Sequence, residues 1–211
     1  MRYRKVPDET VRRLPLYLRG LLLSLHQGRL CISSQELADL VGVRPWQVRK
    51  DFSHFGGFGT PGVGYDTKKL ARQIKNILKL GVIQKVALVG VGNVGSAILS
   101  YPGFAMYSFD VVAAFDIDHS KIGRKVNNIL IEDVSNLATL KHRKINLAIL
   151  AVPADAAQQT ADTLANAGIK GILKFSPCYI TVPKKVKVIS IDIATDLARL
   201  PYYIRAGRIN D

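Results

Sequence analysis

The sequence predicts an α/β protein in two parts: an N-terminal winged helix-turn-helix domain, then a Rossmann-like parallel sheet. Three observations predict it. Residues 1–80 read as short helices broken by one glycine cluster. From Gln84 onward, short β-branched runs alternate with helical stretches, the pattern of a parallel sheet covered on both faces. Gly90-Val91-Gly92-Asn93-Val94-Gly95 follows the first such run directly and opens a helix.

Taken in order, the first helix spans roughly residues 10–26, with Leu14, Leu18, Leu21, Leu22 and Leu25 on one face. Arg12 and Arg13 before this apolar stretch suggest a signal peptide. Arg19 interrupts the stretch and no small-residue cleavage site follows, which favours an amphipathic helix. Ser33-Ser34-Gln35-Glu36 is a capping-box pattern for a second helix that stops at Gly42. Pro45 suits the first turn of a third helix, reaching about Phe55. The five glycines of Gly56–Tyr65 exclude a regular helix and suit a short hairpin. A fourth helix, Thr67 to Leu80, ends at Gly81. Strands are expected at Lys85–Val89, Phe109–Phe115, Ile145–Ala151, Gly171–Phe175 and Val186–Ile191, with a helix over Ala154–Ala167. A final helix, Ala194–Arg208, contains Pro201 and a kink is expected there. The expected domains are therefore 1–81, 82–193 and 194–211.

The 211 residues carry a formal charge of +14, which attracts polyanions, nucleic acid first. The excess is concentrated: residues 1–80 hold 15 Lys and Arg against 6 Asp and Glu, and the longer remainder holds 15 against 10. Disorder is excluded by 48% hydrophobic residues, and no apolar segment is long enough to span a membrane. Cys31 and Cys178 fall in different domains and form no metal-ligand pattern, so reduced thiols and a cytoplasmic location are expected.

In the glycine motif, Gly90 permits the turn, Gly92 lets a pyrophosphate reach the backbone, and Gly95 lets the helix pack close to the strand. Helix N–H groups then face the phosphates. Asp116, 21 residues after Gly95, is placed to bind the adenosine ribose and to repel a 2′-phosphate, so NAD(H) is expected over NADP(H). Asp118 is the rival for that role. A glycine turn that binds nothing, or one that binds coenzyme A, remains the alternative.

Helices two and three have helix-turn-helix spacing. With Val48, Phe52 and Phe55 inward, the third helix presents Gln47, Arg49, Lys50, Ser53 and His54, with Trp46 near its start. Arg and Gln read base edges, while Lys and Ser hold phosphates. The glycine hairpin, with Thr60 and Tyr65, forms the wing. Lys68, Lys69 and Arg72 add phosphate contacts.

These stretches together resemble the Rex family of redox-sensing transcriptional repressors. The matching segments are Gln47–Asp51, Phe55-Gly56 through Gly62-Val63-Gly64-Tyr65, Gly90–Gly95, Tyr101-Pro102-Gly103-Phe104, Phe115–Asp118, Ala151-Val152-Pro153 and Ala167–Leu173, in the family order along nearly the whole chain. The resemblance implies a homodimer whose C-terminal helices exchange between subunits. It implies binding of double-stranded, palindromic operator DNA when NADH is scarce, and release when NADH binds. It implies that Arg19 and Asp192 pair between subunits in the DNA-competent state, and that Tyr101 contacts Asp192 when NADH is bound. It adds Tyr101, Asp192 and Ala151–Pro153 to the cofactor-binding set. Ile193 and Ser176 depart from the aromatic and the alanine found in relatives, near the nicotinamide.

Two other functions fit parts of the sequence, a small NAD-dependent dehydrogenase and a coenzyme A-binding regulatory module. The Rossmann part fills residues 84–193 and leaves no room for a catalytic domain. None of His26, His54, His119 and His142 has a place beside a nicotinamide.

Overall fold

A computed structural model describes residues 6–60 and 62–205. Pro61 of the glycine stretch and the last residues of the expected final helix, from 206 on, lie outside the described residues. The chain forms two compact units that meet in sequence between Val82 and Ile83.

The first unit is built from α1 (Asp8–His26), β1 (Cys31–Ile32), α2 (Ser34–Val41), α3 (Pro45–Ser53), β2 (Tyr65–Asp66) and α4 (Thr67–Ile77). α1 buries Leu14, Tyr17, Leu18 and Leu21, the spacing of one helical stripe. Both halves of the capping box at Ser33 and Glu36 are made, and Gly42 closes α2 in the left-handed conformation, φ 70°. β1 and β2 pair antiparallel, Ile32 opposite Tyr65, and Thr60 bridges Gly64 at the base of a tight loop. The wing is thus a three-part structure, and its first strand, Cys31–Ile32, lies upstream of α2 and α3, far in sequence from the glycines that begin at Gly56. α4 stops earlier than expected. Its terminator is Lys79, at φ 57°, and not Gly81.

The second unit is a seven-stranded sheet in the order β5-β6-β4-β3-β7-β8-β9. Its strands are β3 (Gln84–Val89), β4 (Phe109–Asp116), β5 (Lys125–Val126), β6 (Ile129–Asp133), β7 (Leu147–Leu150), β8 (Gly171–Lys174) and β9 (Lys187–Ser190). All neighbours are parallel except β5 and β6. That hairpin was not expected. Its turn, Asn127-Asn128, places both residues at positive φ, which asparagine tolerates better than most side chains.

Two cores lie against the sheet. On one face α6 (Ala154–Asn166) and a 3-10 segment, Val134–Lys141, cover Ala87, Val89, Phe115, Ala148 and Ile172. On the other, α5 (Asn93–Leu99) and a 3-10 segment, Pro102–Tyr107, cover Leu88, Ala114 and Ile131. The cover on this second face is incomplete. Leu147, Leu173, Ile189 and Phe109 line an apolar groove of about 510 Å³. α7 (Ile193–Arg205), which begins one residue before the expected start and contains Pro201, leaves every one of residues 193–204 exposed.

Candidate nucleic-acid interface and nucleotide cradle

α3 is held by a buried carboxylate. Asp51 is fully buried and accepts hydrogen bonds from Thr10 Oγ1 (2.9 Å), Tyr17 OH (2.7 Å), Arg13 Nε (2.6 Å) and Nη2 (2.9 Å), and Gln47 Nε2 (2.8 Å). Three of these donors sit on α1, so the carboxylate fixes the third helix against the first. Burial pushes its pKa up. The donors from Arg13, Tyr17, Gln47 and Thr10 together outweigh that, and the net shift is downward. Burial, then the bond to Asp51, pushes the Tyr17 phenol up.

This network engages one of the expected DNA contacts, and the core takes up another. Gln47 is half-buried, and Asp51 one turn later holds its amide nitrogen at 2.8 Å, so that donor is already engaged within the chain. Tyr65 is a core residue, 8% exposed, with its ring edge-on to Phe52 at 5.4 Å. The two-residue strand β2 alternates, so Tyr65 points inward and Asp66 outward, where Asp66 caps α4 through Lys69 N–H.

The remaining expected residues form an exposed polar face. Arg49 donates to Ser34 Oγ at 2.9 Å, Lys50 stands 5.9 Å from the Trp46 ring, and Ser53 bonds back to Lys50 O. Trp46, Arg49, Lys50, Ser53, Thr60 and Lys68 are exposed, and His54 is half-buried at the end of α3. Between α3 and the wing lies an open groove lined by Ser34, Arg49, Ser53, Thr60 and the loop glycines. Cationic and hydroxyl donors facing an open groove suit phosphates and base edges.

In the second unit the glycine motif forms a cradle at the carboxyl end of β3. A Cβ on Gly90 would stand 2.5 Å from Ala151 O, and one on Gly95 would stand 1.9 Å from Gly90 O. These two glycines are required by packing within the chain. Gly92 differs: nothing lies within 4 Å of where its Cβ would be, and it lines a pocket of about 310 Å³ with Gly90, Asp116, Ile117, Asp118, Lys121, Ala151, Val152 and Pro153. That open space beside bare backbone fits a pyrophosphate. Asn93 and Val94, the first residues of α5, are exposed beside it, and Val91 is buried.

Asp116 ends β4, as expected, but its carboxylate already has partners. Val91 N–H donates to Oδ2 at 2.7 Å and Asp118 N–H to Oδ1 at 2.9 Å, so Asp116 ties the glycine turn to its own strand. Burial raises its pKa, and these bonds with Lys121 at 3.4 Å lower it to a net downward shift. A carboxylate has about four lone-pair positions, which leaves acceptor capacity for a ribose. Lys121, which also lies 3.4 Å from Asp118, was not foreseen. The signal was present, a lysine five residues beyond Asp116, as the segment curls back in a turn.

Ser176 is buried and its hydroxyl donates to Val152 O, a bond that alanine cannot make. Tyr101 is exposed and stacks edge-on with Phe104 at 5.2 Å, close enough that a side chain on Gly103 would strike its ring. Asp192 caps α7, accepting from Ala194 N–H at 3.0 Å and Thr195 N–H at 3.3 Å. Arg19 is exposed on α1.

Known proteins match both units. A family model for a putative DNA-binding protein N-terminus matches residues 5–53, and one for a CoA binding domain matches residues 82–178. The chain is 44% identical to the redox-sensing transcriptional repressor Rex of Chloroflexus aurantiacus, over 94% of each chain. It is equally similar to that of Thermus thermophilus, over 95% of this chain and 94% of the other. The chain belongs to the Rex family. Among solved structures it is similar to the Rex-family repressor RSP in complex with beta-NAD+ and operator DNA, with 34% identity, a TM-score of 0.89, and 98% and 95% of the two chains covered. RSP in complex with beta-NADH matches at 33% identity and a TM-score of 0.87, over 98% and 97%. Rex proteins are named as transcriptional repressors and not as enzymes. The coenzyme A match describes the same Rossmann-like unit.

Proposed function

We propose that this Rex-family chain is a redox-sensing transcriptional repressor and not an enzyme. Residues 1–81 bind palindromic operator DNA, residues 82–193 bind NADH or NAD+, and the helix from 194 onward exchanges between the subunits of a homodimer. NADH binding releases the DNA. The observation that carries this reading is the pairing, in one chain, of an exposed basic helix beside a glycine wing with a cradle whose central glycine leaves room for a pyrophosphate. The dinucleotide supplies a redox-dependent charge and shape. The chain's residues orient it: Gly90–Gly95 admit the phosphates, Asp116 takes the ribose, and Ala151–Pro153 wall the pocket.

The dimer is supported by two unmatched apolar surfaces of the second unit. The sheet leaves a groove over β7, β8 and β9, and α7 exposes Ile193, Leu197, Leu200, Tyr202 and Ile204. A second copy's helix suits the groove. The site of action is the cytoplasm, where operator DNA and the nicotinamide pool meet. Both described cysteines are free thiols, and no described helix is long and apolar enough to cross a membrane.

A switch between the two states runs through Arg19 and Asp192, paired between subunits, with Tyr101 competing for Asp192 when NADH is bound. The test is DNA binding at fixed salt with NADH and NAD+ varied separately. NADH is expected to release the duplex and NAD+ to leave it bound, and affinity should fall steeply with salt as counterions are released. Equal effects of the two cofactors would remove the redox reading. In the cofactor-free protein, Arg19→Ala and Asp192→Ala should weaken DNA binding non-additively, by a coupling of roughly 1–3 kcal/mol. Additive losses would place the switch elsewhere.

Coenzyme A carries a 3′-phosphate on its ribose, which Asp116 would repel, as it would the 2′-phosphate of NADPH. Asp116→Ser is expected to free Lys121 for a phosphate and narrow the NADH-over-NADPH preference about tenfold, or roughly 1.4 kcal/mol. Calorimetric titration of both cofactors reads this directly. Equal affinities in the unmutated protein would contradict the role given to Asp116.

A further inference from the structure

Lys174 is the only buried basic residue among the described residues, 3% exposed at the last position of β8. Its ammonium donates to the carbonyls of Ser176 and Cys178, and among the described residues no carboxylate pairs with it. An ammonium buried without an anion is costly to fold around. Asp51 and Asp116, the other buried charged groups, each have a cationic partner.

Its position in the sheet gives this charge a target. Lys174 lies opposite Leu150, the last residue of β7, and Ala151–Pro153 of the cradle follow at once. The Ser176 hydroxyl ties the loop after β8 to Val152 O. The strand order runs β4, β3, β7, β8. Asp116 at the end of β4 marks the adenosine side and the glycine turn after β3 takes the pyrophosphate. A dinucleotide laid across the carboxyl ends of the strands therefore sets its nicotinamide over β7 and β8.

We propose that Lys174 is a specificity-determining residue that sets the preference between NADH and NAD+; this rests on the dinucleotide reading above. The two cofactors differ at the ring, where NAD+ carries a pyridinium charge and NADH a neutral dihydropyridine. A fixed cation at the end of β8 repels the first and barely acts on the second. Burial lengthens its reach, because little water intervenes to screen it. The chain thereby weakens NAD+ binding relative to NADH, and a smaller fraction of NADH suffices to release DNA.

The test uses the full chain with Lys174→Met, Lys174→Gln and Lys174→Arg, and measures Kd for NADH and NAD+ separately, with the melting temperature of each cofactor-free variant. Gln keeps a donor for the two carbonyls without the charge, and Arg keeps the charge. In Met and Gln the ratio of the NAD+ Kd to the NADH Kd is expected to fall about tenfold, equivalent to ~1.4 kcal/mol, chiefly through tighter NAD+. In Arg the ratio should hold. The NADH:NAD+ ratio that half-releases operator DNA should rise in parallel for Met and Gln. If Met weakens both cofactors equally and Gln restores both, Lys174 only holds the loop and the proposal is wrong. If Met does not fold, an unchanged ratio in Gln overturns the proposal and a lowered one upholds it. If the unmutated chain binds neither cofactor, the dinucleotide reading fails first and this inference with it.

Discussion

Replacing Asp51 by alanine is expected to destabilise the N-terminal unit by about 3–5 kcal/mol, as removal of one partner from a buried charge network does. Five hydrogen bonds converge on its carboxylate, from Thr10, Tyr17, Gln47 and twice from Arg13. Without it the Tyr17 hydroxyl, on a fully buried ring, loses its acceptor, and Arg13 is left at the edge of the core without an anion. Chemical denaturation followed by far-UV circular dichroism should show an early transition, while NADH titration of the second unit stays normal. An unchanged first transition would show that the network is dispensable. The same group predicts a pH dependence. The folded pKa of Asp51 lies below its ordinary value of 3.8, so its stabilisation is complete at neutral pH. It is lost as pH falls through the ordinary carboxylate range towards the folded value. Asp51→Asn should flatten the acid limb of a stability–pH curve for this unit.

Alanine at Gly92 is expected to leave the fold intact and to reduce NADH affinity roughly 100-fold, or about 3 kcal/mol. The backbone there, φ −80° and ψ −160°, is open to any residue, and the added methyl meets nothing in the chain. It occupies only the space assigned to the pyrophosphate. Operator binding should persist and should no longer respond to NADH, giving a constitutive repressor. Alanine at Gly95 is the contrast, because its Cβ would stand 1.9 Å from Gly90 O and the turn must move. A Gly92→Ala protein with unimpaired NADH binding would contradict the cradle.

The difference between these glycines marks how far the sequence could be read. Spacing after a β-branched run identified the motif, and the sheet order bears it out. Strands of alternating character, the capping box at Ser33 and the left-handed Gly42 are local features, so local pattern reveals them. Features that depend on distant partners were not visible. Gln47 has the helical phase of an exposed residue, and only the burial of Asp51 against α1 engages its amide. Tyr65 sits in a two-residue strand whose partner, Cys31–Ile32, is too short to leave a pattern. Lys174 ends a run that reads as an ordinary buried strand, and a lysine there predicts exposure until the carbonyls of a following loop enclose it. Lys79 ended α4 in a conformation that composition assigns to the nearby Gly81.

The groove on the sheet and the uncovered α7 bear on how the molecule is made as well as how it is assembled. A newly synthesised chain alone displays both sticky surfaces to the crowded cell, and exposed apolar patches of this kind invite misassociation. If a second copy covers these surfaces, as the proposed dimer requires, its lifetime in that form depends on how soon that copy arrives, and abundance itself becomes a determinant of solubility. In the proposed dimer with exchanged helices, separating the chains would require withdrawing Leu197, Leu200 and Ile204 into water. Subunits should trade slowly. A cell that carries two alleles would then hold pairs fixed at birth, and a chain defective in its DNA-reading half would disable whichever intact partner it met first.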